Sequence, residues 1–305
     1  MRLQQLHYII KVVECGSMNV AAKQLFITQP SLSNAVKDLE NEMGITIFNR
    51  IPKGITLTKD GVEFLSYARQ VVEQTSLLED RYKNVNSKRE LFSVSSQHYA
   101  FVVNAFVSLL KETDMTQYEL FLRETRTWEI LDDVKNFRSE IGVLFLNDYN
   151  RDVLIKMMDD DHLIATPLFK AHPHIFISRK HPLALRTQLT FSDLKPYPYL
   201  SYDQGLHNSF YFSEEMLSEI NHPKSIVVSD RATLFNLMIG LDGYTVASGI
   251  LNSNLNGDDI VAIPLDVPDL IDIVYITHEK ANLSKMGQAF IDYLIQEVQF
   301  KKEKS

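Results

Sequence analysis

The hydrophobic period changes once along this chain of 305 residues. Up to about residue 86, apolar residues recur at the three- and four-residue steps of a helix; from Leu91 onward, short apolar runs alternate with helical segments. One core cannot serve both patterns, so the spacing predicts two folding units of different class, joined through the polar stretch Ser87-Lys88-Arg89-Glu90. With 45% hydrophobic residues each unit can bury a core, and ordinary usage of Gly (11) and Pro (10) excludes collagen-like and low-complexity folds. A single cysteine, Cys15, excludes a disulfide scaffold and a cysteine-cluster metal site; inside an apolar helix it reads as a buried packing thiol. The opening MRLQQLHYII has no basic segment leading into an apolar run, and no stretch of about 18 apolar residues occurs, so a soluble cytoplasmic protein is expected.

The net charge of −8 argues against a nucleic-acid partner until its distribution is considered. Residues 1–58 carry six basic side chains (Arg2, Lys11, Lys23, Lys37, Arg50, Lys53) against four acids (Glu14, Asp38, Glu40, Glu42), and the remainder has a net charge of −10. A mildly basic head on an acidic body points to separate tasks.

In the head, Leu3, Leu6, Ile9, Ile10 and Val13 predict a helix over 3–14 that Gly16 stops. Ser17 caps a second helix, whose Val20, Ala21, Ala22 and Leu25 offer a face of small residues for close helix packing. Thr28 is a natural N-cap for a third helix running to Gly44, with Pro30 in its first turn and Leu32, Val36, Leu39 and Met43 facing inward. Gln29, Ser31, Ser33, Asn34 and Lys37 are left facing out. Gln and Asn can pair bidentately with adenine, Ser serves base edges or phosphates, the Pro30 ring can touch a thymine methyl, and Lys37 suits a phosphate. Strands over 45–48 and 55–58 flank Arg50-Ile51-Pro52-Lys53-Gly54, a wing with a basic tip that can reach backbone or minor groove. Spacing alone fits both a DNA-reading helix-turn-helix and a three-helix packing domain with a solvated polar face.

The segments Ala21-Ala22-Lys23-Gln24-Leu25, Thr28-Gln29-Pro30-Ser31-Leu32-Ser33, Leu39-Glu40, Gly44, Phe48-Asn49-Arg50 and Leu57-Thr58-Lys59-Asp60-Gly61 run collinearly over about 60 residues. They resemble the N-terminal domain of LysR-type transcriptional regulators. The resemblance implies base or groove contacts from Gln29, Pro30, Ser31 and Asn34, phosphate contacts from Ser33 and Lys37, and a wing contact from Arg50. Many relatives carry Arg where this chain has Asn34, which leaves the base preferred there open.

From Asp60 to about Asn86 the pattern is one long helix, with Phe64, Ala68, Val71, Thr75, Leu78, Tyr82 and Val85 on a single seam. The seam needs cover from a partner helix or from the chain's own body. The resemblance implies the former, an antiparallel linker-helix homodimer that goes on to a homotetramer, and hence double-stranded DNA with an inverted-repeat site. The expected organisation is 1–58 as an all-α winged helix-turn-helix, 59–90 as linker, and 91–305 as an effector domain.

In that body, strands near 92–95, 118–124, 141–145, 174–178, 198–201, 225–228, 244–247 and 273–277 alternate with helices near 99–112, 128–137, 211–219, 231–240 and 284–299. Two α/β lobes, 91–162 with 267–305 and 163–266, resemble the type 2 periplasmic-binding-protein fold. Ligands of open α/β sheets sit at the carboxyl ends of strands, where helix N-termini receive anions. Ser95-Ser96-Gln97-His98, Thr125-Arg126-Thr127 and Ser201-Tyr202 with Gln204 occupy such turns, and Phe145 and Ser248 can complete a cleft wall. Each Ser or Thr there also fits a plain helix cap. Ser95 to Tyr99 and Ser139-Glu140-Ile141-Gly142 further resemble regulators of sulfur amino acid metabolism in Gram-positive bacteria, which implies a small carboxylate effector such as an acylated serine.

His172 and His174 share a strand face but lack further ligands, Asp159-Asp160-Asp161 lacks the spacing of a calcium loop, and His181-Pro182 reads as a structural turn. No nucleophile elbow, dinucleotide-binding or phosphate-loop motif occurs, so neither an enzyme nor a cofactor is expected. The rivals are a solute-binding protein that never touches DNA, which needs an export segment, and an α/β transferase, which needs an acid–base pair. The favoured expectation is an effector-controlled DNA-binding regulator that alters DNA bending and the access of RNA polymerase.

Overall fold

The computed structural model describes residues 1–51, 54–83, 90–114, 116–251 and 259–302. The chain divides into two compact units, Met1–Lys88 and Arg89–Ser305.

In the first unit, helices α1 (Leu3–Cys15), α2 (Met18–Gln24) and α3 (Gln29–Met43) pack through Leu6, Ile9, Val12, Ala21, Ala22, Leu32, Val36 and Leu39, all buried. Ala21 and Ala22 let α2 approach closely, while Val20 and Met43 lie exposed, the latter because it is the last residue of α3, followed by the left-handed cap at Gly44. Cys15 is half-buried, its Sγ 3.4 Å from Gln24 Oε1. The wing strands are β1 (Phe48–Ile51) and β2 (Gly54–Leu57), antiparallel, with Arg50 opposite Ile55. The first strand starts three residues later than the sequence predicts. Glu40 of α3 explains the shift, because its Oε1 accepts from the backbone N–H of Ile47 (2.7 Å) and Phe48 (3.1 Å), holding the chain to the helix before the ladder begins. Arg50 therefore belongs to a strand and not to the tip.

Helix α4 (Lys59–Lys83) begins at Thr58, whose Oγ1 accepts from Gly61 N and donates to Thr46 O. Leu65 and Ala68 are buried and Phe64 and Val72 half-buried in the same core as α1. The predicted seam is thus split: Phe64 and Ala68 serve their own unit. Val85 lies outside the described residues.

The second unit is built on a five-stranded sheet in the order β4-β3-β5-β12-β6. Its members, with the helices that follow them, are β3 (Glu90–Ser96), α5 (Ala100–Glu112), β4 (Tyr118–Glu124), α6 (Thr127–Lys135), β5 (Ile141–Leu146), α7 (Arg151–Asp160) and β6 (Leu163–Ala171). A second set follows: β7 (His174–Ser178), α8 (Phe191–Leu194), β8 (Tyr199–Tyr202), β9 (Ser225–Val228), α9 (Arg231–Leu241), β10 (Thr245–Ala247) and β11 (Ile260–Pro264). Strand β12 (Ile271–His278) and helix α10 (Lys285–Lys302) return to the first sheet. Every residue of β5 is buried. Ile141, Val143 and Phe145 join the core of α5 and α10, and Leu144 and Leu146 join that of α6 and α7. β3 runs parallel to β4 and β5, whereas β12 runs antiparallel to β5 and β6. Residues 163–171, which the sequence places in the second lobe, are therefore an edge of the first sheet. Pro167 sits at the irregular register beside Val274, as proline in strands does. The second lobe pairs β10-β7-β11 antiparallel and β8-β9 parallel, joined by a bridge from Tyr199 to Tyr244.

The helix predicted near 211–219 is absent. A single 3-10 turn, Phe210–Phe212, precedes an irregular stretch in which Leu217 takes a positive φ of 58° and Glu214, Glu215 and Met216 are buried. The Glu214 and Glu215 carboxylates accept from the backbone N–H groups of His98 and Tyr202, which turns this segment inward. Among the described residues no helix is long and apolar enough to cross a membrane.

A methyl group on Gly61 would meet the Ile47 carbonyl oxygen at 2.1 Å. Gly61→Ala gains about 1 kcal/mol of helix propensity but overpacks the joint by about 1–3 kcal/mol, backbone against backbone. Faster amide exchange in α1 and α3 is expected; unchanged exchange would show that the joint relaxes around the methyl.

Candidate nucleic-acid interface and ligand cleft

Helix α3 starts at Thr28, whose Oγ1 accepts from Ser31 N (3.3 Å) and lies 2.8 Å from Ser31 Oγ. The cap fixes the first turn and engages the Ser31 hydroxyl. Pro30, Asn34 and Lys37 are exposed, Gln29 and Ser33 half-buried, on the side opposite Leu32, Val36 and Leu39. That surface offers amide and hydroxyl groups at one end and an ammonium further along, the chemistry of base edges beside phosphates. Arg50 is on β1 with its side chain outside the described set, and Lys53 lies outside the described residues. Further along α4, Val71, Leu78 and Tyr82 are 45%, 58% and 74% exposed, and Thr75 turns its hydroxyl onto Val71 O (2.8 Å). Four of the six described seam residues are thus unused or partly used by their own unit.

In the second unit the structure sorts the predicted cleft residues into three groups. Some hold the framework. Ser95 Oγ donates to Asp133 Oδ2 (2.6 Å) and is 2.7 Å from Ser139 Oγ, facing α6 and not the cleft, because alternate residues of a strand face opposite ways. The buried Gln97 amide donates to Thr127 Oγ1 (2.6 Å) and accepts from Tyr99 OH (2.7 Å) and Phe145 N (3.1 Å). Phe145 itself is core, so it does not form a cleft wall.

Others tie one lobe to the other. Arg126 donates from Nε to the Asp203 carbonyl (3.0 Å) and from its guanidinium to the Asp203 carboxylate (2.5 Å); the Gly205 N–H and then Arg126 hold that carboxyl below its usual range. Gln204 accepts from Thr127 N (3.3 Å), while Thr125 donates to Glu129. Trp128, the chain's single tryptophan, stacks on His207 at 4.2 Å.

The third group lines a cavity of about 50 Å³ between the lobes: His98, Tyr202 and Ser248. Ser96 is fully buried nearby, and its hydroxyl has no partner among the described residues. Ser201 instead lines a separate cavity of the second lobe with Tyr199 and His222.

Three further cavity residues escape sequence reasoning. Arg231, at the start of α9, pairs with Glu124 at the end of β4, and burial pushes its guanidinium down to about 10. Glu214 Oε2 accepts from His98 N (3.1 Å) and His98 Nδ1 (2.7 Å), and its other oxygen from Gln204 Nε2 (3.0 Å). Glu215 accepts from Tyr202 N (2.7 Å); burial and then the neighbouring Glu214 push its carboxyl well above the usual range. Within an expected helix two adjacent acids read as a solvated face, and only contacts more than a hundred residues away for Glu214 reveal otherwise.

Among the described residues no group of three or more His, Cys, Asp or Glu is placed to hold a metal ion. His174 Nδ1 donates to the His172 carbonyl, and His181 bridges Asp242 O and Leu183 N, with burial lowering its pKa.

Two family models match: the bacterial regulatory helix-turn-helix protein of the lysR family over residues 3–62, and the LysR substrate binding domain over residues 114–299. An uncharacterized HTH-type transcriptional regulator, YeiE of Escherichia coli K12, is 21% identical over 95% of this chain and 96% of its own. The transcriptional activator CmpR of Synechocystis is 24% identical over 96% and 94%, and the regulator CysL of Bacillus subtilis 26% identical over 80% and 79%. Full-length CbnR in complex with its target DNA shares the fold, with a TM-score of 0.53 at 19% identity over 97% of this chain and 100% of that one. A mutant OxyR of Corynebacterium glutamicum does so at 0.52 and 18% over 98% and 93%.

Ser95→Ala leaves Asp133 and Ser139 short of a partner and is expected to cost about 1–3 kcal/mol, whereas Ser96→Ala removes a hydroxyl bonded to no described residue and leaves the urea midpoint unchanged. Equal losses would show that Ser96 has a bridging water. For Glu215 the folded state binds the proton more tightly than the unfolded chain, so stability falls as pH rises from the ordinary value of 4.5. Glu215→Gln is therefore expected to raise the urea midpoint at pH 7, with the gap closing toward pH 4; parallel curves would show an ordinary carboxyl.

Proposed function

This chain belongs to the LysR family of bacterial transcriptional regulators, and we propose that it changes transcription in response to a small carboxylate-bearing effector held between its two α/β lobes. It is a DNA-binding regulator with a substrate-binding domain; that family consists of regulators and not of enzymes. A solute-binding protein without DNA contact is not supported, since the helix-turn-helix family model covers residues 3–62.

The observation that carries the effector reading is the set of polar contacts across the cleft, Glu124 with Arg231, Arg126 with Asp203, His98 with Glu214 and Thr127 with Gln204, around a cavity. A ligand that binds one spacing of the lobes better than another shifts their equilibrium by its differential affinity alone. The buried Ser96 hydroxyl at the strand end supplies a group for such a ligand, an amino acid metabolite such as an acylated serine. Exposed Val71, Leu78 and Tyr82, with half-buried Thr75 between them, support pairing of α4 with a second copy, with Phe64 and Ala68 at the head end of the seam. A two-fold pair of heads implies an inverted-repeat site, and pairing of the bodies a homotetramer. A DNA partner supports a cytoplasmic location, where effector-driven changes in DNA bending would alter access of RNA polymerase.

The test is fluorescence anisotropy with the intergenic DNA beside its own gene, over a salt series and against scrambled DNA. Tight, selective, salt-dependent binding is expected, with Lys37→Ala lowering the slope of log K against log salt by about 1. Ser96→Ala is expected to raise the effector concentration at half-response. Binding to every genomic fragment no better than to scrambled DNA would overturn the reading.

A further inference from the structure

We propose that the Glu214 carboxylate is a built-in occupant of the effector's acid-binding position, so that an effector's carboxylate enters by displacing it. The inference rests on the interlobe cleft being the effector site. Glu214 comes from the second lobe, yet two of its three donors, the His98 backbone N–H and Nδ1–H, belong to the first, in the turn that leads from β3 into α5. The third, Gln204 Nε2–H, comes from a side chain whose carbonyl reaches back to Thr127 N. Two carboxylate oxygens thus collect donors from both lobes, which is what a diffusible carboxylate has to do in order to hold them together.

The donors are fixed before any ligand arrives. The His98 ring stacks on Tyr202 at 3.8 Å with an interplanar angle of 7°, and the Tyr202 backbone is tied to Glu215. With 3% of the Glu214 side chain exposed, the contact is closed to water. A displaceable occupant also has to be held at a disadvantage, and Glu215 supplies one. It places a second buried acid beside the first, at an energetic cost to the pair. The segment carrying both acids is irregular chain, so Glu214 can leave without breaking a helix.

Glu214→Ala would leave the three donors around an acetate-sized space. Trp128, stacked on His207 of the opposite lobe, reports on the cleft by its fluorescence in the full-length protein. The expected result is an altered Trp128 emission in Glu214→Ala that millimolar acetate restores and acetamide does not, with no response from the unmodified protein at the same concentrations. The double variant His98→Ala with Glu214→Ala should show no rescue. Should the alanine variant fail to fold, Glu214→Gln keeps the shape without the charge, and it is expected to respond to acetate at a concentration at least about tenfold lower than the unmodified protein. Equal effects of acetate and acetamide, rescue of the double variant, or a Glu214→Gln response matching the unmodified protein would overturn the proposal. None of these readouts involves DNA, so acetate rescue without DNA binding would sink the regulator reading and leave the carboxylate site standing, and the converse result would do the opposite.

Discussion

A buried primary amide has no water to fall back on, and in this chain the side chain of Gln97 finds its partners in three different elements. Its carbonyl takes the hydroxyl of Tyr99 and the backbone N–H of Phe145, and its nitrogen reaches Thr127 at the start of α6. The ends of β3 and β5 and the first turn of α6 are thereby held at one point, with the Thr125 N–H on the Ser96 carbonyl closing the same corner. Four polar contacts across the cleft start within a few residues of this joint, at His98, Glu124, Arg126 and Thr127. Losing any of the three partners would strand a polar group in a low-dielectric interior, which is why such a network fixes geometry more strongly than its summed strength suggests.

The head was legible because its rules are local. Caps at Thr28 and Gly44, the proline in the first turn of α3 and the three- and four-residue apolar steps each act over one or two turns, and they place α1, α2 and α3 to within about two residues. The wing slipped by three residues on a side chain from elsewhere, Glu40, that no strand pattern contains. In the body the buried strands β3, β5, β7 and β12 read well, but α7, α8, β6 and β11 stayed hidden. Pro167 argues against a strand until the edge position and its irregular register are known, and α7 buries only Leu154 and Met158.

The site was harder for a different reason. Adjacent Ser95 and Ser96 could not both face a cleft, since a strand sends neighbours to opposite sides; in the structure Ser95 is the one turned to Asp133. Which of the two faces the ligand depends on the sheet's placement of α6, and the acids of 214 and 215 depend on contacts with residues before 100 and after 200. Polar groups at strand ends mark a region; their partners assign the roles, and partners are a tertiary property.

The fusion of α4 to the head has a mechanical side. Leu65 and Ala68 are core residues of the DNA-reading unit, so the helix and the head turn together as one lever and not as beads on a string. With 25 residues, the helix is about 37 Å long, close to one turn of B-DNA. Tilting such a lever by about 10° carries its far end roughly 6 Å, nearly two base-pair steps of the duplex. A change too small to disturb any packing inside the head is thus large enough, over the length of the arm, to matter on the scale of the duplex it reads.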